Sequence, residues 1–160
     1  LKGPLKLGSI TRVPMIWSDP NSRVAIRTDT LGSTIDLSAS ILDRASLAPY
    51  NGMQGQSFLE SLSGDKEHRE EVLIEFNNQG PRMGLTTVPR VRTLRSKAWR
   101  LSVYAGENWG ELYDLKSDPN ETHNLWNDPL AKDAKLQLSL RLIEHLAQQT
   151  DASPRSNRLA

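Results

Sequence analysis

Five basic side chains, Arg90, Arg92, Arg95, Lys97 and Arg100, stand close in the chain to Trp99 and Tyr104. Cations interleaved with aromatic rings suit RNA or single-stranded DNA, which bind through phosphate contacts and base stacking. Alternation along a strand, however, scatters such charges over both faces of a sheet. The plainer reading is a solvated hairpin whose long basic stems lie over apolar neighbours. The charge of the whole chain agrees with it: 20 Lys+Arg against 19 Asp+Glu leave +1, too little to steer the protein toward nucleic acid or an acidic membrane surface. Neither is expected as a partner.

His68, His123 and His145 are the only histidines, and no His-Glu-x-x-His pattern or paired acidic spacing joins them into a metal site. Surface or structural roles are expected for all three. The sequence has no cysteine, which removes disulfides, thiolate metal sites and cysteine nucleophiles. Gly80-Pro-Arg-Met-Gly84 is too short and proline-broken to cradle a phosphate, and no Gly-x-Ser-x-Gly elbow occurs. Asn120-Glu-Thr122 matches a glycosylation sequon, although turn chemistry explains it better. Lys2, beside Gly3-Pro4 and ahead of Arg12-Val-Pro14, is the remaining candidate. A lysine on a loop can place a compact, multiply donating cation on a sulfate or phosphate oxygen, but spacing alone makes it no more than a terminal surface lysine.

The elements that would position these groups follow from periodicity. At 160 residues the chain fits one ordinary domain or the tail of a larger one. It holds no apolar run near the ~20 residues of a membrane span, and it reads as a fragment of a longer protein. Arg12–Ser18 reads as a short buried strand, with Pro14 at its edge and Asp19-Pro20 at its end. Ser33–Ala48 carries apolar residues at helical spacing behind a Ser33-x-x-Asp36 capping box, and Ser57–Leu62 reads as one short helical turn. Glu71–Asn77, Arg90–Arg95, Ala98–Tyr104 and Gly110–Leu115 read as strands of an antiparallel meander. The polar loop Asn77–Pro89 is long enough to be functional. Asp118-Pro119 stops the last strand. Asp128 caps a helix with Pro129 at its first position. In that helix Leu136, Leu140, Ile143 and Ala147, flanked by Leu142 and Leu146, are expected to cover the open face of the meander.

Three separated segments stand in an order and spacing that resemble sulfatase signatures. They are Lys2-Gly-Pro with Arg12-Val-Pro-Met-Ile, Ile35-Asp-Leu-Ser-Ala-Ser-Ile-Leu-Asp43 with Met53-Gln-Gly-Gln-Ser57, and Gly110-Glu-Leu-Tyr-Asp-Leu with Asp118-Pro and Asn124-Leu. The chain is similar, over almost its whole length, to the C-terminal portion of a bacterial-type arylsulfatase of the alkaline-phosphatase-like superfamily. The resemblance implies an α/β enzyme ending in a smaller α+β subdomain, a four-stranded antiparallel sheet packed on a C-terminal helix. On that mapping residues 1–64 supply a closing strand and helix of the large domain, 65–150 form the subdomain and 151–160 are a disordered tail. Isolated, such a piece is expected to expose Met15-Ile16-Trp17 and the apolar side of the Ile35 helix.

The same resemblance implies hydrolysis of a sulfate ester by a formylglycine made from the cysteine of Cys-x-Pro-x-Arg, with calcium holding the sulfate. That motif is absent here, so the nucleophile, the metal ligands and the general acid are expected in a preceding region, no metal ligand is expected in this chain, and the 160 residues alone are expected to be inactive. The implied partners are a small-molecule sulfate ester and the N-terminal sulfatase domain. Of the family's site, only Lys2 carries over, onto the lysine that contacts a sulfate oxygen. Arg12 matches the structural arginine of Arg-Val-Pro, read as pairing a carboxylate beneath the site, whereas Leu5 to Gly8 departs from the aromatic and acidic residues common in the family. Arg82 and Arg90 are the candidates for the substrate rim. Two other functions stay open: a phosphonate monoester or phosphodiester hydrolase of the same superfamily, and a non-catalytic module whose basic hairpin grips an anionic polymer.

Overall fold

Period-two alternation of apolar side chains produces four strands, β1 (Glu71–Asn77), β2 (Arg90–Ser96), β3 (Trp99–Tyr104) and β4 (Gly110–Asp114). They form the expected meander, an antiparallel sheet in the order β1-β2-β3-β4. The structure, a computed structural model, describes residues 8–20, 25–63, 66–80 and 88–149. Helices α1 (Gly8–Thr11), α2 (Asp36–Arg44) and α3 (Lys132–Gln148) complete the regular elements, together with 3₁₀ turns at Leu59–Ser63 and Pro129–Ala131. Two units are present among the described residues: 8–20 with 70–80 and 88–145, and 25–63 and 66–69 with 146–149.

In the first unit the sheet register pairs Leu73 with Leu94, Leu94 with Leu101, and Leu101 with Leu112. This row makes one apolar face. Leu94, Leu101 and Leu112 are buried there with Ala131, Leu138 and Leu142, and Trp99, Val103, Leu125 and Trp126 pack around them. The helix covers this face as expected, but with a different stripe. Leu138 and Leu142 point inward, whereas Leu136, Leu140 and Ile143 are exposed. α3 is apolar on two sides, so hydrophobicity alone leaves its rotation open. Polar anchors decide it: Lys135 Nζ donates to the Trp126 carbonyl at 2.7 Å and lies over the Trp126 ring, and Arg141 and His145 both reach Glu71 Oε2 at 3.1 Å.

The entry to α3 is as read from the sequence, with the Asp128 side chain accepting from Leu130 N at 2.8 Å and Pro129 following it. The preceding residues close the edge of the sheet. Asn124 Oδ1 accepts from Leu112 N, Asn124 Nδ2 donates to the Gly110 carbonyl, and Leu125 N donates to the Leu112 carbonyl. These bonds satisfy backbone groups that an edge strand would otherwise present to other chains. Gly110 is required in that arrangement, because an added Cβ would lie 2.5 Å from the Trp126 ring and 2.7 Å from the Ser102 carbonyl oxygen.

Arg12–Ser18 departs from expectation and forms no strand. Pro14 withholds a donor from any ladder, and Val13, Met15 and Ile16 are exposed, Ile16 by 89%.

The second unit is organised by Asp36, which is fully buried. Its Oδ1 accepts from Gln56 N at 2.9 Å and from Arg69 Nη2, and its Oδ2 accepts from Ser33 N at 2.8 Å and Arg69 Nε at 2.9 Å, with His68 Nε2 also at 2.9 Å. The capping box is thus half realised: the carboxylate reaches back to the Ser33 amide, but no side chain caps α2 in return. The helix is shorter than its apolar pattern, because Ser46 takes a positive φ of 56° and Leu47 N closes on the Leu42 carbonyl, a Schellman-type ending. Ile35 and Ile41 are exposed, as expected. Burial alone would raise the Asp36 pKa, but the Arg69 guanidinium, the Gln56 and Ser33 amides and His68 outweigh it and bring the value from 3.8 to about 2.

Two measurements test this account. Leu142→Ala should cost about 2–5 kcal/mol in urea unfolding, as a truncation in a packed core does, whereas Leu140→Ala should stay within about 0.5 kcal/mol; the reverse order would return the helix to its other face. For Asp36, a folded pKa below the unfolded one adds stability above the unfolded value and loses it as pH falls through the folded value. That contribution is about 2 kcal/mol and vanishes between about pH 4 and pH 2. Asp36→Asn should therefore be least stable relative to the parent near neutrality, and the gap should narrow across that window; a gap independent of pH would refute the assignment.

Candidate functional site

The face of the sheet opposite α3 is built from the other strand parity and is chemically unlike the first. Register places Thr93 opposite Ser102, Arg95 opposite Arg100, Arg100 opposite Tyr113, and Ser102 opposite Glu111. Thr93, Arg100 and Ser102 are completely buried, and Tyr104, Glu111, Tyr113 and Glu121 nearly so. Arg100 is the centre. Its Nε donates to Glu121 Oε1 at 2.6 Å, and its Nη1 donates to Ser102 Oγ at 2.8 Å and Glu111 Oε2 at 3.1 Å. The guanidinium lies over the Tyr113 ring, 4.5 Å from its centroid.

Each carboxylate has further partners. Glu111 Oε2 accepts from the Tyr104 hydroxyl at 2.8 Å. Glu121 Oε1 accepts from Arg95 Nη1 at 3.2 Å, and Glu121 Oε2 accepts from the Gly8 amide at the start of α1. Burial opposes the Arg100 charge, but Glu111 and Glu121 overcome that penalty and hold its pKa above the ordinary value. Burial, reinforced by the Glu111 carboxylate, pushes Tyr104 and Tyr113 upward. Two arginines balance two glutamates here, so the cluster is a compensated brace.

Glu121 reaches the cluster from the turn that follows β4. Asp118 organises the turn: its carboxylate accepts from Thr122 N at 2.7 Å, His123 N at 2.8 Å and Thr122 Oγ1 at 3.0 Å. This is the turn chemistry expected of Asn120-Glu-Thr122. Glu121 adopts φ of 57°, a conformation unfavourable for a residue with a side chain unless its surroundings enforce it. Neither Glu111 nor Glu121 was singled out from the sequence. The available signal was Arg100-Ser102-Tyr104, a polar series at period two interleaved with apolar Trp99-Leu101-Val103.

Lys2 and Arg82 lie outside the described residues. Arg90 is exposed at the start of β2, and its guanidinium has no hydrogen bond or ion pair among the described residues. Arg12 is also exposed, and no carboxylate among the described residues pairs with it. The basic hairpin divides as strand parity requires: Arg92 pairs with Glu75 at 2.8 Å, and Arg95 and Arg100 turn to the other face toward Glu121. His68 and His145 are paired with Asp36 and Glu71 in structural roles. Among the described residues no group of His, Asp or Glu is arranged to hold a metal ion, and the sequence supplies no cysteine. The residues described here therefore do not fit a calcium cage or a formylglycine.

Residues 7–149 match the family described as N-sulphoglucosamine sulphohydrolase, C-terminal. The Delta 4,5-hexuronate-2-O-sulfatase of Bacteroides thetaiotaomicron is 30% identical over 152 residues, an alignment covering 92% of this chain and 29% of that protein. The chain thus spans less than a third of the length of that relative. A solved structure of a putative sulfatase from the same organism superimposes with a TM-score of 0.62 at 25% identity, covering 72% of this chain and 25% of that one. The phosphonate monoester hydrolase of Agrobacterium radiobacter gives 0.67 at 24% identity, over 78% of this chain and 26% of that one, a likeness of fold. With the meander, its C-terminal helix and nearly the whole length matched, the chain belongs to the N-sulphoglucosamine sulphohydrolase C-terminal family and is a sulfatase C-terminal domain.

Proposed function

We propose that this chain is the C-terminal part of an enzyme that hydrolyses a sulfate ester, and that its direct contribution to the reaction is to bind and orient the sulfate group. The observation that carries the reading is the family match across residues 7–149, supported by a relative whose name is that of a 2-O-sulfatase. On the family resemblance the complete enzyme would use a formylglycine residue as nucleophile and a calcium ion, neither of them supplied by the described residues of this chain.

Lys2 has the part of a cation placed on a sulfate oxygen, a donor aimed where charge builds in the transition state. Arg90 is the candidate for the substrate rim, since it is exposed and lacks a partner among the described residues; Arg82, eight residues earlier in the sequence, shares that assignment. The binding-module alternative is weaker, because Arg92, Arg95 and Arg100 are already neutralised by Glu75, Glu111 and Glu121. The phosphonate hydrolase alternative shares the fold, and the nucleophile of the complete enzyme decides it.

In the complete enzyme Lys2→Ala should lower kcat/KM for a sulfate ester about 10²-fold, the scale of losing one transition-state donor. Arg90→Ala should raise KM several-fold for an extended sulfated substrate and leave a small aryl sulfate unaffected. Unchanged kcat/KM in Lys2→Ala would remove the proposed role of that lysine, and a preference for phosphonate monoesters over every sulfate ester would replace the proposed activity.

A further inference from the structure

Leucines exposed singly are ordinary on a protein surface, but α3 exposes a row of large apolar side chains. Leu136, Leu140 and Ile143 are 57%, 53% and 62% exposed. Their spacing of four and then three residues keeps them on one stripe of a helix. That stripe points away from Leu138 and Leu142, which enter the core. Gln137 and Glu144 run along one side of it.

The surface there has the relief of a helix that receives another. Gln137, Leu140, Arg141 and Glu144 outline a shallow groove of about 450 Å³ with Ile143 on its rim. Residues at i, i+3, i+4 and i+7 are the four that form a hole for a side chain of a facing helix. Arg141 is fixed in that wall by Glu71, 3.0 Å away. The stripe also matches itself. When two copies of α3 run antiparallel about a twofold axis beside Leu140, Leu140 meets Leu140, Leu136 meets Ile143 and Gln137 meets Glu144, all level to within one residue. The Gln137 amide then faces the Glu144 carboxylate twice by symmetry, and the helix dipoles oppose one another favourably.

We propose that the outer stripe of α3, Leu136, Leu140 and Ile143 with Gln137 and Glu144, is a self-association surface that docks on the same stripe of a second copy in antiparallel orientation. A partner of different sequence would need only the apolar row. The reciprocal match of Gln137 with Glu144 and the hole beside Leu140 are what favour a copy of the same chain. A net charge of +1 puts little long-range repulsion between copies. The stripe is one helix wide and falls short of the roughly 800 Å² per partner of a stable interface, so association in the micromolar range or weaker is expected. The inference does not depend on which ester the enzyme cleaves.

The test uses the complete enzyme. Sedimentation equilibrium should show a monomer–dimer equilibrium that Leu140→Glu weakens by about tenfold or more, since an unpaired charge would be buried at the centre of the contact. Leu130→Glu, at a residue 96% exposed that precedes α3, should change it less than about twofold. Gln137→Glu sets carboxylate against carboxylate and should weaken the dimer several-fold, and adding Glu144→Lys should restore it. Under mild oxidation Leu140→Cys should give a disulfide-linked dimer and Leu130→Cys should not, because the twofold axis brings only the former within disulfide reach. If Leu140→Glu does not fold, the cysteine and charge-pair variants decide. An enzyme that stays monomeric at every concentration, or a dimer that Leu140→Glu and the charge pair leave untouched, would overturn the proposal. So would a Leu140→Cys thiol closed to a small maleimide in the monomer, which would show the stripe covered by another part of the same polypeptide.

Discussion

A guanidinium removed entirely from water in the middle of a sheet is the constraint on which the first unit depends. Arg100 cannot shed its proton to escape burial, so the fold must surround it with negative charge and acceptors. Glu111 supplies one carboxylate from the neighbouring strand, Ser102 an acceptor on the same strand, and Tyr113 the face of a ring. The second carboxylate, Glu121, has to come from outside the sheet. Desolvating an ion costs on the order of several kcal/mol even after relaxation. The turn after β4 is therefore bound to whatever conformation delivers Glu121, and a positive φ at that residue is tolerated because the ion pair and the Asp118 hydrogen bonds enforce it.

That turn links the two faces of the sheet. Directly after delivering Glu121 to the polar face, the chain returns along β4, where Asn124 and Leu125 pair with its exposed edge, and Trp126 settles over Gly110. Trp126 in turn offers its carbonyl and ring to Lys135, which fixes the rotation of α3 on the apolar face. Ion pairing on one side and leucine packing on the other are therefore connected through a few residues of one loop. A helix with two apolar sides would otherwise have no reason to choose between them.

The strands, the Asp118 stop and the Asp128 cap were legible in the sequence because each depends on local chemistry: alternation, a missing proline donor, a side-chain oxygen two residues from an amide. The resemblance to sulfatases was legible for the same reason, its signatures being short and contiguous. What escaped were features decided by distant partners. Asp36 read as half of a capping box, but its main ligands are Arg69 and His68, more than thirty residues on. The inward stripe of α3 depends on Glu71 and on the Trp126 carbonyl, neither of which the helix pattern can reveal. Arg12–Ser18 had the composition of a strand, yet a strand needs a partner ladder, and Pro14 leaves little to offer one. Glu121 stands beside Asp118-Pro119 in the sequence, but its partners, Arg95, Arg100 and the Gly8 amide, are all distant in the chain, and no local pattern reveals them.

The buried face of the sheet is occupied with its own charge balance. The brace at Arg100 recognises backbone amides and its own counter-ions, and none of its groups distinguishes sulfur from phosphorus. The likeness to a sulfatase structure and to a phosphonate monoester hydrolase structure is a likeness of this scaffold, since a fold does not fix the reaction it carries. On the proposed reading, discrimination between esters belongs to the nucleophile and to exposed rim residues such as Arg90. Rigidity belongs to the buried face, where any loss of charge balance would be felt in geometry before it was felt in chemistry.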